Sequence, residues 1–143
     1  MQRRSFIKGA CRICLLGATA ASIGADLASC SPAAGTNVFK PVVIDNSIEI
    51  PLSLFDAHSF RIISPEKFQY EIAVEKKAAD NYKALLLRCT HHDNQLMSTG
   101  NGFTCNLHGS KFDKEGNVLN GPAETALKQL HTQIVKTNLV IQL

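Results

Sequence analysis

CTHHDNQLMSTGNGFTCNLHGSKFD, residues 89–113, gathers two cysteines and three histidines into twenty-five positions. Cys89-Thr90-His91 and Cys105-Asn106-Leu107-His108 each set one thiol close to one imidazole, and thirteen residues separate the halves. Small or turn-forming residues follow both, His92-Asp93-Asn94 in the first and Gly109-Ser110 in the second, so each pair sits on a short loop. Two such loops facing each other offer two thiolates and two imidazoles to a metal centre. The same four side chains are also a zinc set, and two cysteines alone in a domain would suggest a disulfide by default if the protein works outside the cytoplasm.

The residues downstream narrow these alternatives. His108-Gly109-Ser110-Lys111-Phe112-Asp113 is followed by Gly116, then Gly121-Pro122-Ala123 and Leu127. Over residues 89–127 this order resembles the Rieske proteins, with their second cluster loop and their proline loop. The resemblance implies a [2Fe-2S] cluster, with Cys89 and Cys105 on one iron and His91 and His108 on the other. It also implies that Ser110 donates to a bridging sulfide and that Phe112 and Pro122 lie around the ligands. A zinc module gives no reason for Gly109-Ser110 or Gly121-Pro122-Ala123 to recur here. His92 is set aside as exposed or adjacent to the ligands, and His58 and His131 read as surface or structural residues.

Charge explains what this ligand set does. Two ferric ions and two sulfides carry two positive charges, which two thiolates cancel and two neutral imidazoles leave unchanged. Four thiolates would leave the site doubly negative before any electron arrives. Adding an electron to a neutral site costs less, which fits the range of about −150 to +300 mV for Rieske centres. The electron goes to the histidine-bound iron, and exposed imidazole nitrogens can take up protons on reduction.

Departures from one subclass matter as well. The Rieske subunits of quinol-oxidising cytochrome bc complexes carry a further cysteine in each cluster loop, joined as a disulfide. Here those positions fall at Asn94, or a close neighbour, and at Leu107. Those subunits also carry a tyrosine two residues after the loop serine, which bonds a cysteine sulfur, and Phe112 stands there instead. The lost donor implies a potential below that of the tyrosine-bearing subunits.

Ahead of the domain, MQRRSFIKG places paired Arg3 and Arg4 before a mildly apolar, small-residue stretch ending at Cys30. That is the layout of an export signal, and Arg3-Arg4-Ser5-Phe6-Ile7-Lys8 resembles the twin-arginine motif. Leu27-Ala28-Ser29-Cys30 resembles a bacterial lipobox, which implies lipidation of Cys30. Arg12 and Asp26 make the stretch a poor spanning helix, whereas several acyl chains on one cysteine suffice for anchoring. Cys11 and Cys14 lie within the signal and leave with it. The expected organisation is a signal over 1–29, a lipidated tether over 30–37 and a Rieske domain over 38–143, at the periplasmic face of a membrane in a bacterial cell envelope.

Short β-type runs with little helical periodicity predict an antiparallel all-β domain. They are Val42–Ile44 and Ile48–Ile50, Phe60–Ile63, Phe68–Val74, Ala84–Leu87, a strand–turn–strand over 112–118, and two strands over 128–143. The resemblance implies stacked Rieske-type sheets with the cluster loops at one tip. Without Arg3, Arg4, Lys8, Arg12 and Asp26 the chain keeps eleven basic and eleven acidic residues, so nothing suggests nucleic-acid binding.

The reading that follows is a lipid-anchored electron-transfer module passing single electrons between protein partners, with no small-molecule substrate or catalytic site of its own. Its partner would be a quinol-oxidising complex or a molybdenum oxidoreductase such as arsenite oxidase, whose small subunit is also an exported Rieske protein. The alternatives are the ferredoxin component of a ring-hydroxylating dioxygenase, which the export signal opposes, and a structural zinc module.

Overall fold

VVIDNSIEI turns back on itself at Asp45 and Asn46, whose φ angles of 48° and 59° supply the left-handed pair that a two-residue hairpin turn needs. The computed structural model that shows this describes residues 38–143. Arg3, Arg4, Cys30, the export signal and the tether lie outside the described residues.

In chain order the strands are β1 (Val43–Ile44), β2 (Ser47–Pro51), β3 (Phe60–Ile63), β4 (Ile72–Ala78), β5 (Asn81–Leu86), β6 (Met97–Ser98), β7 (Gly102–Thr104), β8 (Lys111–Asp113), β9 (Val118–Asn120), β10 (Gln129–Leu130), β11 (Thr132–Val135) and β12 (Asn138–Gln142). A 3-10 turn, Leu52–Phe55, is the helical element among the described residues. Among those residues no helix is long and apolar enough to cross a membrane.

The strands make three four-stranded sheets, ordered β1-β2-β12-β11, β10-β5-β4-β3 and β6-β7-β8-β9. Every pairing between them is antiparallel. The expected all-β antiparallel architecture is what the chain adopts.

Two cores hold the sheets together, and the middle sheet serves both. Ile72, Val74, Ala84 and Leu86 pack with Ile48, Ile50, Leu139 and Ile141 of the first sheet. Ala73, Leu85 and Leu87 pack the other way, with Phe103 and Phe112 of the third. Because strand side chains alternate between faces, a strand covered on both sides reads as an unbroken apolar run. Ala84-Leu85-Leu86-Leu87 is that run, and it leads directly to the cysteine loop.

Three expectations change in detail. The strand anticipated over 68–74 begins at Ile72. Lys67 has a φ of 59°, Phe68 N–H turns back toward the Pro65 carbonyl, and the Glu71 N–H is taken by the Gln95 side chain. The two strands expected over 128–143 are three, because the chain passes at His131 from the middle sheet to the first. The strand expected from Ala84 begins three residues earlier, at Asn81. The sequence pattern gives no signal for β6 and β7, which are too short to show alternation.

Candidate metal centre

Period-two alternation carries the side chains of Leu85, Leu87 and Cys89 to one face, so the first cysteine enters the core beneath the third sheet. Cys89 N–H then bonds the Asn94 carbonyl at 2.8 Å, and Asp93 N–H returns to the Cys89 carbonyl at 2.9 Å. The second loop repeats the frame: Cys105 N–H bonds the Ser110 carbonyl at 2.8 Å and Gly109 N–H the Cys105 carbonyl at 3.0 Å. Each frame needs a left-handed residue at its fourth step, supplied by Asp93 (φ 48°) and Gly109 (φ 82°). The matched turns point the thiols inward and leave the imidazoles outside. Cys89 and Cys105 are 0% and 2% exposed, while His91, His92 and His108 are all exposed.

The rings of His91 and His108 stand 5.0 Å apart, centroid to centroid. His92 joins them, 4.7 Å from His91 and 5.5 Å from His108, so proximity alone does not separate it from the other two. His58 and His131 are exposed and belong to neither loop. At Cys105 burial works to raise the thiol's pKa, but the Leu107 N–H, the Cys89 thiol, the His108 N–H and the Asn94 amide together outweigh it. The net shift is downward, toward the thiolate that a metal takes as ligand.

Around the thiols the chain is braced from two sides. Ser110, with no exposed surface, accepts the Ala123 N–H at Oγ over 3.0 Å, which ties the second loop to the segment after the cis Gly121-Pro122 bond. Having accepted there, its hydroxyl keeps a proton to donate. Pro122 itself is exposed. Asn120 Nδ2 adds a 3.3 Å bond to the Gly109 carbonyl. Phe112 is 1% exposed and packs with both cysteines, offering no polar atom.

Several supporting residues carry no sequence signal. The Tyr70 hydroxyl donates to the Asp93 carbonyl at 2.9 Å, and Arg88 Nε pairs with the Asp93 carboxylate at 3.0 Å. Gln95 accepts the Glu71 N–H at 3.0 Å, and the Thr90 hydroxyl reaches the Thr125 carbonyl at 2.7 Å. Gly102 is needed because a Cβ there would fall 2.1 Å from the Phe112 carbonyl oxygen. Gly102 lies among turn-forming residues, Thr99-Gly100-Asn101-Gly102, so its sequence context does not set this close approach apart from an ordinary turn.

The donor set suits a dinuclear cluster. Two buried sulfurs would serve one iron and two outward imidazoles the other. Among the described residues no three His, Cys, Asp or Glu side chains converge on one point.

The family model for the Rieske [2Fe-2S] domain matches residues 57–131, more than half of the chain. The chain is 32% identical over 94 residues to the ubiquinol-cytochrome c reductase iron-sulfur subunit of Rickettsia typhi, covering 62% of this chain and 50% of that protein. It thus spans about half the length of that curated relative. The plasma membrane Rieske protein PetC3 from Synechocystis PCC 6803 superposes with a TM-score of 0.50 at 24% identity, over 65% of this chain and 95% of that one. The complex of reduced oxygenase and oxidized ferredoxin in carbazole 1,9a-dioxygenase gives 0.46 at 16% identity, over 69% of this chain and 94% of that one. The Rieske [2Fe-2S] domain family binds a [2Fe-2S] cluster, and this chain belongs to it.

Proposed function

We propose that this Rieske electron carrier works at the periplasmic face of a bacterial membrane, anchored by lipid on Cys30 after export through its Arg3-Arg4 signal. Cys89 and Cys105 hold one iron and His91 and His108 the other. The observation that carries the ligand reading is the pair of matched loops, which bury two thiols side by side and present two imidazoles at the surface. When bound, the cluster takes up and gives back one electron at a time.

The chain's own groups serve that exchange. The buried thiols keep water from one half of the site, and the exposed imidazoles bring the other half within reach of a docked protein. Leu107, 55% exposed beside His108, adds an apolar contact at the same tip. The Ser110 hydroxyl is placed to donate a hydrogen bond that strengthens as negative charge accumulates. With Phe112 in place of a donor, and no cysteine at Asn94 or Leu107 to join the loops, the midpoint is expected to stay below about +250 mV, near the top of the family range.

The partner is a quinol-oxidising complex or a molybdenum oxidoreductase, proteins that draw on a carrier outside the cytoplasm. A ferredoxin of a ring-hydroxylating dioxygenase and a zinc module are the competing readings, opposed by the export signal and by family membership respectively. Purified protein should show an electron paramagnetic resonance signal only after reduction, with the low average g-value of mixed Cys/His ligation. Colourless protein carrying zinc would refute the proposal. His92→Ala should keep the cluster, and its loss there would exchange His92 for His91 as ligand.

A further inference from the structure

The side-chain amide of Asn94 reaches from the first loop to the sulfur of the second. Its Nδ2 lies 3.8 Å from Cys105 Sγ and 3.1 Å from the Gln95 carbonyl oxygen. Both neighbours are acceptors once Cys105 is a thiolate, so the NH2 end belongs there and each of its hydrogens has a partner. A flipped amide would aim its oxygen at a carbonyl and a sulfur, which fixes the orientation. The Asn94 main chain is held too, because its carbonyl accepts the Cys89 N–H at 2.8 Å. One residue therefore touches both cysteines, the first through its backbone and the second through its side chain. Phe112, packed in the same core as the two sulfurs, has no donor to offer either of them.

We propose that Asn94 is a positioning residue that raises the reduction potential of the centre by donating a hydrogen bond to the Cys105 sulfur. This rests on the ligand reading given above. On reduction one electron arrives from the external donor, no bond forms or breaks at Asn94, and no proton leaves its amide. What changes is the net charge of the centre, which becomes one unit more negative, and an N–H dipole fixed toward its Cys105 ligand would favour that reduced state.

The test is a redox titration of the whole protein at about pH 8, followed by electron paramagnetic resonance, on wild type, Asn94→Leu and Asn94→Asp. Asn94→Leu keeps the approximate volume and removes the donor. It is expected to lower the equilibrium constant for taking the electron about tenfold, which is 59 mV for one electron. Asn94→Asp turns a carboxylate toward the sulfur and should fall further. In resonance Raman spectra the iron–thiolate stretches of Asn94→Leu should move up and lose part of their shift in deuterated water. Midpoints unchanged in both variants would overturn the proposal. So would failure of both to assemble a cluster that His92→Ala still holds, since Asn94 would then act only on folding. A wild-type protein without a [2Fe-2S] cluster would remove the ligand reading and this inference together.

Discussion

In both loops the cysteine N–H bonds forward five residues and the cysteine carbonyl accepts from the residue four ahead, yet the surroundings that hold the two frames are unlike. The second loop is fastened from inside. Ser110 is fully buried and takes the Ala123 N–H, and glycine meets the left-handed position at Gly109 without strain. The first loop is fastened from outside. Asp93 fills its left-handed position, and the contacts that steady it are an Arg88 pair with side chains 48% and 66% exposed and an exposed Tyr70 hydroxyl bond. Exposed polar contacts contribute less than buried ones because water competes for both partners. The first loop should therefore be the one that opens first.

Gly102→Ala probes the inner fastening most severely. A Cβ placed 2.1 Å from the Phe112 carbonyl oxygen must push β7 away from β8, and the cost should be on the order of 3 kcal/mol in urea unfolding. Ser110→Ala comes next. It strands the buried Ala123 N–H and should remove about 1–3 kcal/mol, with a lower midpoint potential as a second readout. An unchanged stability would mean that water takes the place of the hydroxyl and that the second loop is less dry than its burial implies.

Tyr70→Phe addresses the outer fastening alone. A loss of about 0.5–1.5 kcal/mol should appear as faster hydrogen exchange at the Asp93 and Asn94 amides and not at Gly109 and Ser110. Equal acceleration in both loops would break the contrast drawn between them. Asp113, in the turn below the second loop, gives the smallest effect. Hydrogen bonding from the Asn117 side chain, then from the Asn117, Glu115 and Gly116 N–H groups, outweighs slight burial and lowers its pKa below 3.8. A depressed carboxyl contributes stability that is present above its unfolded pKa and lost as pH falls through the folded one. The urea midpoint of wild type should thus drop more between about pH 5 and about pH 3 than that of Asp113→Asn.

The parts legible in the sequence are those written in short-range spacing. C-x-H and C-x-x-H put each thiol and imidazole on one loop, and the structure buries the two thiols in one core and sets the His91 and His108 rings 5.0 Å apart. Ile48–Ile50 and Phe60–Ile63 are strands because their chemistry is local. What escaped is written across distance. Tyr70 meets Asp93 from 23 positions away and Gln95 meets Glu71 from 24, and neither pairing exists until the sheets stack. The change of sheet at His131 is invisible for the same reason, since Gln129–Leu130 and Thr132–Val135 look like one strand until their partners are known. His92, set aside on the resemblance, is adjacent to His91 in sequence and close to both imidazoles in space.

The middle sheet is left after β5 and rejoined by β10, and both cysteine loops lie between. Departure and return are neighbours, with the Leu86 N–H on the Lys128 carbonyl at 2.9 Å and Leu130 opposite Ala84. The redox-bearing segment is thus an insertion whose two ends are already stitched together by the base that carries it. Lengthening such a segment adds little closure entropy, and termini this close are what domain insertion tolerates. The tip can therefore diverge, or be grafted onto another two-sheet base, while the base beneath stays the same.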